Sequence, residues 1–520
     1  MNVIRDPTPA TDLASIGVAA SLALLVFGIW FVGWTPTYFW GDDWAGYLMQ
    51  AQALVDRSVD QELALNTVAM HGSDVQIGPN AYPWGYPALL AIAGLTTDWS
   101  ALGLKSVGAA AVVLLIVSAF ALARTQLGLG LATFVALAVG LQPAVVVDAD
   151  HLGSDVPFLA VSTLCLVFIV RQFDRAQSGQ PWSAAIALAV ALTGAAAFSI
   201  RSNGAVLPCT YAAVMFLAAL RGERSWRETI LHGAGFAALM VTLLAVYFRA
   251  LPDGSLVHAG YLSGDPAVWA KRALAHLHAI ANWVTFNRIP GPAKLVPLSV
   301  MVGLLAWGAA RRPWLGAVLL SYLALHLALL TVFPFDGGQR YYHPLLPAAF
   351  LLVAIGCQGA GEALRRYIPA WPTGGVASAT GALLLAGIAI LLSLQIRIDQ
   401  ARYEDAGIEA PYAPATKSAM DFVSKTAPAD TRIAFFRPRA FRLLTGRVAY
   451  AINTPRNLDR VDWYVFNGGT DDPRTQIPEP ALRDPAARFR VIYDQAPYRI
   501  YAREKTSTAG EPSPDARGLP

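Results

Sequence analysis

Residues 15–47 read SIGVAASLALLVFGIWFVGWTPTYFWGDDWAGY. The first part of this stretch, 15–34, carries no charge, and a helix of roughly twenty apolar residues is long enough to cross a bilayer. Trp34, Tyr38, Phe39 and Trp40 then form the aromatic cluster expected where a helix leaves the hydrocarbon. Two adjacent carboxylates, Asp42 and Asp43, follow at once. The stretch reads as a membrane crossing with polar chemistry placed at its exit.

The rest of the chain agrees. Of 520 residues, 55% are hydrophobic and only 14% charged, and the mean hydropathy is +0.44, which excludes an ordinary soluble protein of this length. The formal net charge of +4 is too small to point to nucleic acid, and no nucleic-acid partner is expected. Cys165, Cys209 and Cys357 all lie in apolar stretches, which indicates neither a disulfide framework nor a thiolate metal site. Residues 1–12 lead into the first apolar run without a small-residue cleavage site, so the first helix is read as retained.

Further apolar runs lie at 107–123, 127–147, 156–170, 183–200, 205–220, 231–248, 295–310, 315–332, 344–356 and 376–394. With the first they make about eleven transmembrane helices. The run at 86–96 is too short for a crossing and fits an interfacial or re-entrant piece. With the N-terminus cytoplasmic, nearly all arginine clusters (Arg171 and Arg175; Arg221, Arg224 and Arg227; Arg311 and Arg312; Arg365 and Arg366) fall on the inside. The expected class is therefore an all-α polytopic bundle over 1–394 in the cytoplasmic (inner) membrane. A small extracytoplasmic α/β domain is expected over 395–503, and a disordered tail over 504–520. Within that domain the pattern predicts helices at 416–424 and 438–445 and strands at 432–436, 461–466, 489–493 and 499–502.

Several outside segments concentrate reactive side chains. Asp42 and Asp43 open a helical pattern; one acid suffices to cap a helix, so the pair also reads as a general base with a neighbour that tunes it. Asp148, Asp150, His151 and Asp155 crowd one short loop, either as a solvated, helix-capping turn or as oxygen ligands for Mg²⁺ or Mn²⁺. Arg201 and Arg340 run against the positive-inside bias, and a guanidinium fork suits a phosphate at the membrane surface. Tyr341, Tyr342 and His343 stand beside Arg340 as further donors. Tyr82, Trp84 and Tyr86, interleaved with Pro83 and Pro87, read as an interfacial anchor in preference to a sugar platform. Arg437, Arg439 and Arg447 are expected to give the C-terminal domain a basic rim.

The order of these motifs resembles the GT-C superfamily of polyprenyl-phosphate-sugar glycosyltransferases. It is most similar to bacterial relatives of the protein O-mannosyltransferases and of the lipid A aminoarabinose transferase. The motifs are Asp42-Asp43 with Tyr47, Tyr82-Pro83-Trp84-Gly85-Tyr86-Pro87, Ser154-Asp155-Val156-Pro157, Arg201-Ser202-Asn203-Gly204 and Arg340-Tyr341-Tyr342-His343-Pro344. Each is weak alone; five in order at matching topological positions are more specific. The resemblance implies a polyprenyl-phosphate-sugar donor and a lipid, glycan or protein acceptor. It also implies Asp42 as base with Asp43 beside it, a phosphate held by Arg201 and Arg340, and a pocket lined by Asp155 and Tyr47; Tyr341 beside Arg340 is read as a further substrate-binding donor. It implies metal-independent inverting transfer, with Asp148 and Asp150 keeping a divalent ion open. Two rival classes remain: a lipid-modifying phosphotransferase, and a transporter or flippase of phosphate-bearing lipid. The first lacks a large metal-bearing outside domain, and the second lacks internal repeats.

Overall fold

The computed structural model describes residues 9–35, 38, 40–251, 262, 264–284, 291–333, 338–367, 411–469 and 475–504. The run at 376–394 and the tail after residue 504 lie outside the described residues. Two compact units are present: Met1–Tyr38 with Gly46–Glu62 and Pro79–Tyr403, and Phe39–Ala45 with Leu63–Gly78 and Glu404–Pro520.

The helices run in order as α1 (Pro9–Gly33), α2 (Asp43–Asp56), α3 (Val59–Gly72), α4 (Gly85–Thr97), α5 (Ala101–Arg124), α6 (Leu129–Gly140), α7 (Pro143–Asp150) and α8 (Asp155–Gln177). They continue as α9 (Ala184–Ile200), α10 (Val206–Leu220), α11 (Trp226–Ala250), α12 (Pro266–Val284), α13 (Leu295–Arg311), α14 (Pro313–Val332) and α15 (Leu346–Tyr367). Among the described residues eight helices are long and apolar enough to cross a membrane, so the chain is a multi-pass membrane protein. Their buried share separates the middle of the bundle from its edge. α8 is 78% buried, whereas α1 is 17% buried and turns Leu13, Leu24 and Phe31 outward, as a lipid-facing helix does.

Two expected crossings differ. The run at 127–147 is not one rod: α6 and α7 meet at a 53° bend. Pro143 has no N–H to donate, and the Gln142 side chain caps the new helix by accepting from Val145 N at 3.0 Å. α9 holds 17 residues, about 25 Å at helical rise, short of the hydrocarbon thickness. The full count of about eleven is therefore not reached among the described residues.

In the second unit, five strands, β1 (Ile433–Ala434), β2 (Ala449–Tyr450), β3 (Trp463–Asn467), β4 (Phe489–Gln495) and β5 (Tyr498–Arg503), form one mixed sheet in the order β2-β1-β3-β5-β4. The helices here are α16 (Pro414–Thr426), α17 (Pro438–Thr445) and α18 (Glu479–Leu482). Alternation along the strands fills two cores. Val465 and Ile500 pair across β3 and β5 and pack with Val423 of α16 and Phe441 of α17. Their neighbours Tyr464 and Tyr501 face the other side, with Ile477 and Leu482. Trp40 joins the first core through Phe435 and Phe436, at ring separations of 5.8 and 5.1 Å. Asp74 ties the Leu63–Gly78 segment in by accepting from Asn453 N, Thr454 N and Asn457 Nδ2 while pairing with Arg460.

The expected basic rim is largely turned inward: Arg439 is 1% exposed, Arg447 donates to the carbonyls of Ala427 and Pro428, and Arg437 is half-buried. Buried guanidinium groups here stitch the domain together through hydrogen bonds, as Arg442 does to Asn66 at 3.4 Å.

Candidate functional site

At one end of the helical unit, four separate stretches of chain converge. Asp155 opens α8, with Pro157 in its first turn. Arg201 ends α9 in an extended conformation, followed by a 3-10 turn at Ser202–Ala205. That turn needs a glycine, since a Cβ on Gly204 would stand 2.3 Å from Phe198 N. Arg340 and Tyr341 lie on the 3-10 segment Gly338–Leu345, and Tyr47 comes from α2.

These side chains touch. The Arg201 guanidinium is ion-paired with Asp155 Oδ1 and donates to Ser154 Oγ at 3.2 Å. Arg340 Nη1 lies 3.9 Å from Asp155 Oδ2. Both guanidinium groups stand over the Tyr341 ring, at 5.2 and 5.7 Å from its centroid. Tyr47 Oη is 2.9 Å from Ser154 Oγ, which makes that serine the bridge between the tyrosine and Arg201. Two guanidiniums meet around one carboxylate here, and guanidinium forks are suited to binding an anion.

Behind Tyr47 stands an aromatic wall. Its ring lies 4.4 Å from that of Tyr82 and 4.9 Å from that of Tyr86. Trp84 and Tyr86 are 0% and 1% exposed, so the interfacial-anchor reading of this motif is overturned: rings sealed inside the protein cannot rest among headgroups. A Cβ on Gly85 would meet the Ser199 backbone at 2.7 Å, so glycine there lets α4 start against the end of α9 that carries Arg201.

A cavity of about 350 Å³ adjoins Tyr341 on the α12 side, lined among others by Lys271, Arg272, His276 and Tyr342. No acid is among its described lining residues. Arg272 Nε is buried without a hydrogen-bond partner among the described residues, while His276 Nδ1 and Tyr342 Oη lie 2.7 Å apart. Tyr341 is thus shared between the arginine pair and a second, cationic hollow.

The acids of α7 turn to protein partners. Asp150 is paired with Lys105 Nζ at 3.1 Å and accepts from Thr35 Oγ1 at 2.5 Å, while Lys105 also donates to the Thr35 carbonyl at 2.7 Å. Asp148 Oδ2 lies 2.8 Å from Nε2 of the fully buried His343, and its Oδ1 lies 3.5 Å from His151 Nδ1. Both carboxylates are committed in this way, and among the described residues no three His, Cys, Asp or Glu side chains gather as metal ligands. They do not fit a divalent-ion site as they stand. Lys105 and the pairing of Asp148 with His343 were not picked out from the sequence. A lysine just ahead of the apolar run at 107–123 was the available signal for the first.

Asp42 and Asp43 belong to the second unit, whereas Tyr47, Asp155, Arg201, Arg340 and Tyr341 belong to the first. Asp43 stands in the first turn of α2. Asp42 does cap a helix, but not its own: its Oδ1 accepts from the backbone N–H of Arg439 and Ala440, at 3.0 and 3.1 Å, at the start of α17. Its Oδ2 is buried with no hydrogen-bond partner among the described residues. Burial pushes the carboxyl up to about 6, against the opposing pull of Arg439, the Ala440 N–H and Arg437; Asp43 pushes the same way as burial.

No known sequence family and no curated relative matches the chain. Solved structures do. ArnT from Cupriavidus metallidurans, bound to undecaprenyl phosphate, is 13% identical with a TM-score of 0.55, over 94% of this chain and 98% of that one. The oligosaccharyltransferase AglB from Archaeoglobus fulgidus, in complex with an inhibitory peptide and a dolichol-phosphate, is 13% identical with a TM-score of 0.52, over 96% of this chain and 75% of that one. Another structure of the A. fulgidus oligosaccharyltransferase, in complex with Zn and sulfate, is 14% identical with a TM-score of 0.54, over 94% and 73%. At such identities the likeness establishes architecture: the chain shares the fold of these proteins.

Proposed function

We propose that this protein is a membrane glycosyltransferase that moves a sugar from a polyprenyl-phosphate donor to an acceptor hydroxyl at the outer face of the cytoplasmic membrane, with inversion. The observation that carries the reading is the meeting of Arg201, Arg340 and Tyr341 around Asp155, beside a cation-lined cavity. Structural likeness to proteins bound to undecaprenyl phosphate and to a dolichol-phosphate supports it. The positive-inside pattern of the arginines supports the outer face.

In this reading the acceptor oxygen attacks the anomeric carbon. The bond from that carbon to the phosphate oxygen breaks, and its electron pair stays on the phosphate. Arg201 and Arg340 offset the charge that develops there, so that positioning and electrostatics do most of the work. Asp42 takes the acceptor proton. Its own surroundings support that role, because Oδ1 is occupied while Oδ2 has no hydrogen-bond partner among the described residues, and a carboxyl near 6 is ionised yet basic at neutral pH.

The test is to incubate the purified protein, Asp42→Asn and Arg201→Ala in lipid with radiolabelled polyprenyl-phosphate sugars and a native membrane extract, following label movement. Wild type should move label, Asp42→Asn should not, and Arg201→Ala should chiefly lose donor affinity. If every donor stays intact with wild type, the reading falls, and transport of a phosphate-bearing lipid takes its place.

A further inference from the structure

Asp155 places a carboxylate between the two guanidiniums of a candidate anion-binding site. Its carboxylate, 8% exposed, is paired with Arg201 through one oxygen and stands 3.9 Å from Arg340 through the other. It has little room to swing aside, since Val156 and Pro157 are buried beside it in the first turn of α8. Any phosphate that engages both guanidiniums must come within a few ångströms of a fixed negative charge, in a setting less screened than water.

We propose that Asp155 is a charge gauge: it lets the arginine pair hold a singly charged phosphodiester and weakens its hold on a phosphomonoester or a diphosphate. The inference rests on the phosphate-binding reading of Arg201 and Arg340 given above. A phosphodiester carries one negative charge. A phosphomonoester, with its second ionisation near pH 6, carries close to two at neutral pH. Glycosyl transfer converts the first into the second, because the electron pair of the broken carbon–oxygen bond remains on the phosphate. Two guanidiniums alone would grip the product more tightly than the donor and slow its departure. A carboxylate between them opposes the added charge, so Asp155 favours entry of donor and exit of product.

Asp155→Asn tests this, since the amide oxygen can still accept from Arg201 while the charge is gone. The probes are undecaprenyl phosphate, a monoester, and its methyl ester, a diester, with dissociation constants measured on the full chain in lipid nanodiscs at pH 7.5. In Asp155→Asn the affinity ratio should move toward the monoester by about tenfold relative to wild type, the effect of one added charge contact in a partly screened site. Asp155→Glu, which keeps the charge, should hold the wild-type ratio. A parallel change for both probes would mean that Asp155 only orients Arg201, and would overturn the inference; because the readout is a ratio, general loss of folded protein does not mimic the result. If wild type binds undecaprenyl phosphate and Arg201→Ala does not, the phosphate-site reading survives whatever the ratio does. If Arg201→Ala and Arg340→Ala bind it as wild type does, that reading and this inference fall together.

Discussion

Asp42 Oδ1 accepts the backbone N–H of Arg439 at 3.0 Å, so an acid near the start of the chain caps a helix that lies 397 residues further on. Asparagine can accept the same bonds but cannot take a proton. Asp42→Asn is therefore expected to melt no lower than wild type at neutral pH while transfer falls by roughly 100-fold or more, the range typical of a lost general base. Asp42→Ala should in addition lose about 1 kcal/mol of stability, as deleted caps do. Thermal denaturation beside the transfer assay separates the two effects, and an Asp42→Asn variant with full activity would remove Asp42 from the chemistry.

The raised carboxyl of Asp42 predicts a pH profile. Only the ionised form accepts a proton, so transfer should climb as pH rises through about 6 and level off above it. The stability linkage has the opposite sign. A folded-state value above the free value of 3.8 makes ionisation unfavourable to the fold, so this residue's contribution is full below that value and is lost as pH rises through about 6. Asp42→Asn should flatten that part of the stability curve; an acid limb that stays at the same pH in a residually active variant would point to another group.

Arg201 and Arg340 should separate by stability. Arg201→Ala leaves the buried Asp155 carboxylate with one distant cation, a loss on the order of 3 kcal/mol for a broken buried pair. Arg340 is 39% exposed, so Arg340→Ala should cost less than about 1 kcal/mol. Both should weaken binding of undecaprenyl phosphate in nanodiscs. Equal melting temperatures for the two variants would contradict the burial difference.

Lys105 and Asp150 are 1% and 6% exposed, and each depends on the other. Lys105→Met should destabilise the protein by about 3–5 kcal/mol because it strands a buried carboxylate. Adding Asp150→Leu should restore most of that loss. Thermal melts of both singles and the double in detergent give the coupling; additive losses would show that the pair is not a unit.

The long apolar helices and α17 at Pro438–Thr445 were legible because their signals are local: an uncharged run for the former, and a proline start with a glycine stop for the latter. Tyr47, Asp155, Arg201, Arg340 and Tyr341 were legible as a group because charge against the positive-inside bias is costly and because they fall in recognisable motifs. The structure brings them together. What escaped was non-local. No rule along the chain links Asp42 to Arg439, or Lys105 to Thr35 and Asp150. The strand Ala449–Tyr450 is only a pair of residues and leaves no periodic trace. The break before Pro143 was written in the sequence, but apolar length outweighed it.

The 53° bend before Pro143 makes α7 a lever. Its tip carries Asp148 and Asp150, which grip His343 on one side and Lys105 on the other, and His343 stands three positions after Arg340. Straightening α6 and α7 into one rod would swing both grips out of reach and pull the arginine's segment with them. Pro143→Ala, a change that improves helix propensity on paper, is thus one the protein should tolerate poorly: a proline that reads as a flaw in a membrane helix keeps a distant guanidinium aimed.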